Sequence, residues 1–308
     1  MTSPRLDWVV LTTGDRADDL AAALNSIGPH LLDGERIHLV LNGRDLSAPE
    51  PSRLEPSVRA ALHVIHAGEN LGIPGGRNLG AAASDADVVA FLDDDAVVQS
   101  ADLGTQLRAR FGADPRLGGV SFRIVDPESG RTAQRHVPRP GGRGLEREGR
   151  VTSFLGGASA LSGPMFRSVD GYCAEFFYAH EESDLAWRAI AAGWRFTYAP
   201  SLVVTHPLLP TTRHAGAIER SMRNRVWLVR RNLPLPVGLL HLVIWLAIGL
   251  VRTRSVAGAR AMIAGFRAGW AGPPPSGGPN GAGASGASAL VRWRLCWRLT
   301  RLGRPPLL

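Results

Sequence analysis

Three adjacent carboxylates, Asp93, Asp94 and Asp95, close an apolar run that begins at Val88. A run of that length and composition reads as a buried strand, which puts the triplet at a strand end. Like charges so close together repel, so a cation is expected among them. Hard carboxylate oxygens favour Mg²⁺ or Mn²⁺ over zinc. The competing reading is an acidic turn that only solvates the strand end. A second acidic group, Glu181-Glu182-Ser183-Asp184, opens a helix directly after Phe176-Phe177-Tyr178. Acids in a first helical turn suit the helix dipole. An aromatic wall beside them also raises a carboxylate toward the working range of a general base. Asp184 and Arg188 are spaced for an i,i+4 ion pair.

A third group is the glycine-rich Asn70-Leu71-Gly72-Ile73-Pro74-Gly75-Gly76-Arg77-Asn78. It is neither a P-loop nor a dinucleotide fingerprint, because the spacings differ and no Lys follows. Its glycines would let backbone amides approach a phosphate, with Arg77 at a helix start supplying charge. The alternative is a tight connector without a ligand. His206 lies between an apolar strand and Pro207 and on its own reads as structural. His180 and His214 are given no chemistry.

The elements that position these groups alternate between two periods. Strands are expected over 7–12, 36–41, 62–66, 87–92 and 118–125. Helices are expected from Ala17 to Ile27, from the glycine-rich stretch to Ser84, and near Ala101 to Phe111. Such alternation predicts an α/β fold with a mostly parallel sheet flanked by helices, whose ligands gather at the carboxyl ends of strands. Thr12, Asn42, Arg77 and Asp93 to Asp95 all fall at that edge. Residues 126–150, rich in Arg, Gly and Pro, read as a long loop of the kind that is functional or mobile. Order returns over Val151 to Leu161, with Gly156-Gly157 inside it. The helix that follows stops at Gly193, and a strand pair leads to Thr205-His206.

Composition adds a division of charge. All 35 cations are Arg. From Arg213 onward 15 of them face one acid, Glu219, whereas the preceding residues carry 20 Arg against 26 acids. An acidic catalytic part and a basic appendage are therefore expected, over 1–212 and 213–271, followed by a disordered Gly/Pro/Ala/Ser linker at 272–289 and a basic tail at 290–308. Two cysteines, Cys173 and Cys296, make no disulfide framework and point to a reducing compartment. The first residues lack an apolar signal core, so the cytoplasmic side is expected.

Taken in order, Leu11-Thr12-Thr13, Asn42-Gly43, Gly75-Gly76-Arg77-Asn78, Asp93-Asp94-Asp95, Gly156-Gly157-Ala158, Glu181-Glu182-Ser183-Asp184 and Val204-Thr205-His206 resemble the family 2 inverting glycosyltransferases of GT-A, Rossmann-like fold, in particular bacterial rhamnosyltransferase-like members. The match covers about Asp7 to Pro234. The resemblance implies that Thr12, Asn42 and Arg77 hold the base and phosphates of a nucleotide-sugar donor. Asp93 and Asp95 would be the two acids of a DxD motif, the first near the ribose with Asp94 beside it, the last on a divalent Mg²⁺ or Mn²⁺. His206 would complete the metal site, Gly156 and Gly157 would admit the donor sugar, and Glu182 would be the catalytic base with Glu181 as its rival. The family usually has Asp where this chain has Asn42.

The acceptor implied is a glycan or lipid-linked hydroxyl. Leu233 to Val251 is the most apolar stretch, but Pro234, Pro236 and His241 leave its strongly apolar part short of the ~20 residues of a span. An interfacial or re-entrant helix is expected. Leu290 to Gly303 interleaves Trp293 and Trp297 with arginines, which suits an anionic membrane surface rather than nucleic acid. A peripheral enzyme of the cytoplasmic membrane face follows. The alternatives are a sugar-1-phosphate nucleotidyltransferase, for which the Lys of its triphosphate loop is absent, and a non-catalytic membrane scaffold that binds sugar nucleotides.

Overall fold

The structure, a computed structural model, describes residues 3–139, 142–208, 216–253, 255–277 and 288–302. The boundary expected at 212/213, His214 and most of the expected linker lie outside the described residues.

Seven residues of β1 (Leu6–Thr12) are almost all buried, because helices cover the sheet on both sides. Alternation sorts them: Trp8 and Val10 join one core with α1 (Ala17–Ile27), while Val9 joins the opposite core. β2 (Ile37–Leu41), β3 (Leu62–His66) and β4 (Val88–Asp93) pair with β1 or each other in parallel. With β5 (Val97–Val98), β6 (Leu117–Val125), β7 (Gly149–Val151), β8 (Ala158–Ser162) and β9 (Arg195–Thr205) they make a sheet ordered β3-β2-β1-β4-β8-β6-β9-β5, with β7 also beside β9. Among its long strands only β8 runs against the rest. The helices between are α2 (Pro56–Ala61), α3 (Gly72–Ala82), α4 (Leu103–Ala113), α5 (Gly163–Ser168) and α6 (Glu181–Ala191).

The register fixes the site edge. Leu11 stands opposite Asp93 and Thr12 opposite Leu41, so Thr12, Asn42 and the Asp triplet emerge side by side. The strand pair expected before His206 is one strand. β9 keeps its pairing with β6 but skips three residues between Ala199 and Val203. Pro200 lies in that gap, and a residue without an N–H interrupts a ladder without ending the strand. The long 126–150 loop carries a 3-10 turn, Gln134–His136, and ends in β7.

Four more helices follow: α7 (Ala217–Asn232), α8 (Leu235–Thr253), α9 (Val256–Trp270) and α10 (Ala289–Arg301). Met222, Val226 and Val229 of α7, Leu242 of α8, Met262 of α9 and Leu295 and Leu299 of α10 belong to the same core as Phe91, Leu185 and Phe196. Gly265 and Gly269 let α9 press on α7, since a Cβ at either would overlap the backbone of Glu219 or the side chain of Val226. Among the described residues, α8 is the one helix long and apolar enough to cross a membrane, and only 17% of its apolar window is buried. Pro236 sits in its first turn, where a missing N–H costs nothing.

The joint between α6 and α7 is ionic. Asp184, fully buried, accepts from Arg188 Nε at 2.9 Å, Arg231 Nε at 2.8 Å and Asn232 Nδ2 at 2.9 Å. Burial alone would raise its pKa, but Arg188 and Arg231 more than reverse this and hold it low. Truncation would strand two guanidiniums. Asp184→Ala is expected to cost about 3–5 kcal/mol, read by urea and thermal unfolding. A loss below about 1 kcal/mol, the range of a surface pair, would refute the hub.

Candidate active site

The carboxyl edge of the sheet opens into a cleft lined by Thr12, Arg16, Asn42, Asp93 to Asp95, Phe177, Tyr178 and Arg220. The triplet's charges are balanced largely by the protein itself. Arg77 Nη2 donates to Asp93 Oδ1 at 3.0 Å, Arg16 binds Asp95 and donates from Nη2 to Asp94 Oδ1 at 2.8 Å, and Thr12 Oγ1 donates to Asp94 Oδ2 at 2.7 Å. Asp93 is pushed up by burial but pulled below the usual carboxylate range by Arg77 and His206, whereas burial leaves Asp94 raised. The cation expected among these carboxylates is therefore met first by arginine.

His206, at the end of β9, completes a further cluster. Its Nε2 lies 3.1 Å from Asp95 Oδ1 and 3.8 Å from Asp93 Oδ2. One donor atom from each of Asp93, Asp95 and His206 falls within 4.8 Å of the others, so Asp93 joins the two residues expected as ligands. His206 Nδ1 is buried without a hydrogen-bond partner. The ring of His136, from the 126–150 loop, stands edge-on to His206 with centroids 6.0 Å apart.

Arg77 is 4% exposed and lies beneath the cleft. It joins Asp93 to Glu182, whose Oε1 is 3.6 Å from Nη1. The glycine pair before β8 makes room for this bridge: a Cβ at Gly156 would overlap Arg77 and Glu182, and one at Gly157 would overlap the Asp93 carboxylate. The two glutamates part company here. Glu182 keeps 24% of its side chain exposed, but Glu181 is 2% exposed and its Oε2 has no hydrogen-bond partner. Burial raises Glu182. Burial, then the neighbouring Glu182 charge, pushes Glu181 up to about 8.

The glycine-rich stretch is used internally. Leu71 N donates to Asn42 Oδ1, Gly72 N to Asn70 Oδ1 and Ile73 N to the Phe177 carbonyl, each at 2.9 Å. A Cβ at Gly72 would strike Phe177, and one at Gly76 would strike Leu11. These amides are occupied, which favours the connector reading over a phosphate cradle. Asn42, facing the cleft, is tied to the same turn through Gly72 O at 3.2 Å. Asn78 brackets Tyr172 with two backbone hydrogen bonds at 2.8 and 2.9 Å.

Sequence reasoning missed the part of α7. Phe177, Ala179 and His180 all have positive φ, at 61°, 71° and 71°, a strained run for side-chain-bearing residues. Asn224, fully buried, pins it by donating to the carbonyls of Phe176, Tyr178 and Ala179 at 2.8, 2.7 and 2.9 Å. His180 Nε2 meets Ser221 Oγ at 3.2 Å. Arg220 stacks on Phe177 at 5.0 Å from the ring centre. Nothing local in the sequence announces contacts 45 residues apart, although Arg16 could have been found from its place in the turn after β1.

The sequence pattern of glycosyl transferase family 2 matches residues 9–166, half of the chain. The chain belongs to that family. The pre-mycofactocin glycosyltransferase of Mycobacterium tuberculosis (strain H37Rv) is 30% identical over 206 residues, 64% of this chain and 42% of that relative, so the chain spans less than half of its length. Among solved structures, S. aureus TarS 1-349 in complex with UDP-GlcNAc is similar with a TM-score of 0.59 at 10% identity, over 85% of this chain and 79% of that one. The mannosyltransferase PcManGT from Pyrobaculum calidifontis, in complex with GDP-Man and Mn²⁺, gives 0.55 at 18% identity, over 100% and 83%. GalNAc-T7 with UDP, GalNAc and Mn²⁺ gives 0.57 at 14%, over 75% and 48%. Likeness at such identities establishes the GT-A fold.

The Glu181 environment has a measurable sign. Its folded pKa of about 8 lies above the ordinary 4.5, so the folded chain binds a proton that the unfolded chain has lost. Stability should therefore fall as pH rises from about 4.5 to about 8 and level off above. Glu181→Gln should flatten that slope in thermal midpoints taken from pH 5 to 9; an unchanged slope would mean Glu181 is ionised in the fold.

Proposed function

We propose that the protein is an inverting, metal-dependent glycosyltransferase that moves a sugar from a nucleoside diphosphate donor to a hydroxyl of a glycan or lipid-linked acceptor at the cytoplasmic membrane face. One observation carries the reading: on a family 2 sheet, Arg77 ties the Asp93-Asp95-His206 cluster to Glu182. Ligand-type and base-type groups thus share one rigid frame.

Two carboxylates with one imidazole fit a hard divalent ion of the Mg²⁺ or Mn²⁺ class. Asp93, Asp95 and His206 would hold it, and when bound it neutralises charge on a diphosphate leaving group. The donor-side contacts are assigned to Thr12, Asn42, Asp94, Arg16 and Arg220, which line the cleft. Arg77 acts here by positioning Asp93 and Glu182. Gly156 and Gly157 keep the floor low enough for that contact, with the sugar above it.

Glu182 Oε takes the proton of the acceptor hydroxyl. The acceptor oxygen bonds to the anomeric carbon as the bond from that carbon to the diphosphate oxygen breaks. One displacement inverts the centre, so one carboxylate base suffices and no nucleophile is needed on the protein, unlike a retaining hydrolase. Burial raises the Glu182 pKa, the direction that strengthens a carboxylate as a base.

Membrane association is supported by two exposed faces. α8 presents Leu235, Leu239, Leu240, Val243 and Val251, and α10 presents Trp293 and Trp297 between arginines. Arg298 docks α10 on the end of α6 through the carbonyls of Ile190 and Ala191 at 2.5 and 3.2 Å.

The test is thermal stability of the protein with a panel of nucleoside diphosphates and nucleotide sugars, with and without Mn²⁺. A ligand at about 100 times its dissociation constant stabilises by about 2.7 kcal/mol. A Mn²⁺-dependent shift lost in Asp95→Ala, with circular dichroism confirming its fold, is expected. Glu182→Gln should keep that shift while turnover falls about 10²–10⁴-fold. Absence of any shift in folded wild-type protein would overturn the donor site.

A further inference from the structure

Behind Tyr178, on the side away from the Asp triplet, lies a second cavity of about 350 Å³ between α7, α8 and α9. Its walls include Tyr178, Ile218, Met222, Arg225, Trp245 and Met262. Tyr178 also lines the donor cleft, so the two spaces meet at that residue. Ala179, in the same wall, precedes Glu182 by three residues. The chamber therefore abuts the strained turn that delivers the proposed base.

Its lining is mostly apolar and, besides Ser221 and Tyr178, holds one cation, Arg225. The buried arginines Arg77, Arg108, Arg188 and Arg231 have carboxylates: Arg77 has Asp93, Arg108 has Glu35, and Arg188 and Arg231 share Asp184. Arg225, half-buried at the chamber wall, does not. Among the described residues its partners are His241 Nε2, at 3.3 Å from Nη1, and the face of Trp245, at 3.9 Å from the ring centre. A guanidinium has five N–H donors, and no carboxylate or carbonyl among those residues accepts from it. Burial alone lowers it to about 10, with no anion to offset the cost. The indole N–H of Trp245 is buried without a partner. A half-buried cation short of an anion and an orphan donor thus meet in one largely apolar chamber, and an anionic ligand would complete both.

Charge complementarity selects an anion, and the apolar walls beside the exposed face of α8 select hydrocarbon around it. We propose that this chamber binds the acceptor as a lipid phosphate, its anionic oxygens on Arg225 and the Trp245 N–H, its chain along α8, and its hydroxyl-bearing head reaching past Tyr178 toward Glu182. This rests on the transferase reading and narrows its acceptor from glycans and lipids to anionic lipids. The α8 face then serves as the approach for the chain.

Dodecyl phosphate, below its micellar concentration, is the probe, followed by tryptophan fluorescence and thermal midpoint on the full chain. Dodecanol and inorganic phosphate are the controls, for the chain without the charge and the charge without the chain. Dodecyl phosphate is expected to bind at least about tenfold more tightly than either, and Arg225→Gln to weaken it roughly 10- to 100-fold, as for a lost charged hydrogen bond. Should Arg225→Gln fail to fold, Ala217→Phe, which adds bulk at the chamber wall, should weaken the probe to a similar degree. Dodecanol binding as well as dodecyl phosphate, or affinity unchanged in a folded variant, would overturn the proposal. UDP and GDP with Mn²⁺, titrated on the wild-type protein in the same series, report on the donor site separately. Nucleotide binding without probe binding sinks the acceptor assignment alone; probe binding without nucleotide binding sinks the transferase reading and, with it, the acceptor role.

Discussion

One guanidinium, Arg77, sits buried between carboxylates that come from different layers: Asp93 at the end of β4 and Glu182 in the first turn of α6. A buried charge of this kind is tolerable only when it is paired, so the helix carrying Glu182 cannot drift from the strand carrying Asp93 without exposing a large penalty. The surroundings obey this constraint. Gly156 and Gly157 lack side chains because Arg77, Glu182 and Asp93 occupy that space. α3, which supplies Arg77, lies flush on β1 and β2 through Gly76 and Gly80, where a Cβ would overlap Leu11 and Val9.

A second ionic joint stabilises the back of the same helix. Asp184 faces away from Glu182 and binds Arg188, Arg231 and Asn232. Together with Asn224, it makes α7 the brace for both α6 and the positive-φ turn before it. The arginines of the basic C-terminal part differ in their use. Arg231 is used inside, on Asp184 of α6, whereas those of α10 lie beside exposed tryptophans. Arg225 belongs to neither group, which is why its chamber stands out.

The cleft itself is a balance of opposite charge. Arg16 and Arg77 divide the Asp triplet between them, leaving His206 next to Asp95. A divalent ion proposed for this edge would meet carboxylates already held in place by arginine, and would share Asp95 with Arg16. Preorganisation of this sort lowers the reorganisation needed when charge develops on a leaving group.

Much of the first 125 residues was legible in the sequence, because strand and helix periods and their terminators are local signals. The helix Ala17–Ile27 and the strand Leu62–His66 appear as expected. The placement of the Asp triplet at a strand end needed only an apolar run to stop. The Asp184–Arg188 pair needed only a helical spacing. Adjacent Glu181 and Glu182, however, are separated by about 100° around their helix, and which one faces the cleft depends on what packs behind it. Likewise the glycines of 72–76 read equally well as a cradle or a connector until the turn of Phe177 fills the space beside them. The sequence by itself determined the α/β order, the acids and their edge. Only the tertiary structure decided that Asp93 joins His206, that Arg77 bridges Asp93 and Glu182, and that α7 braces the turn before α6, since each depends on contacts between residues far apart in the chain, whose geometry no local period encodes.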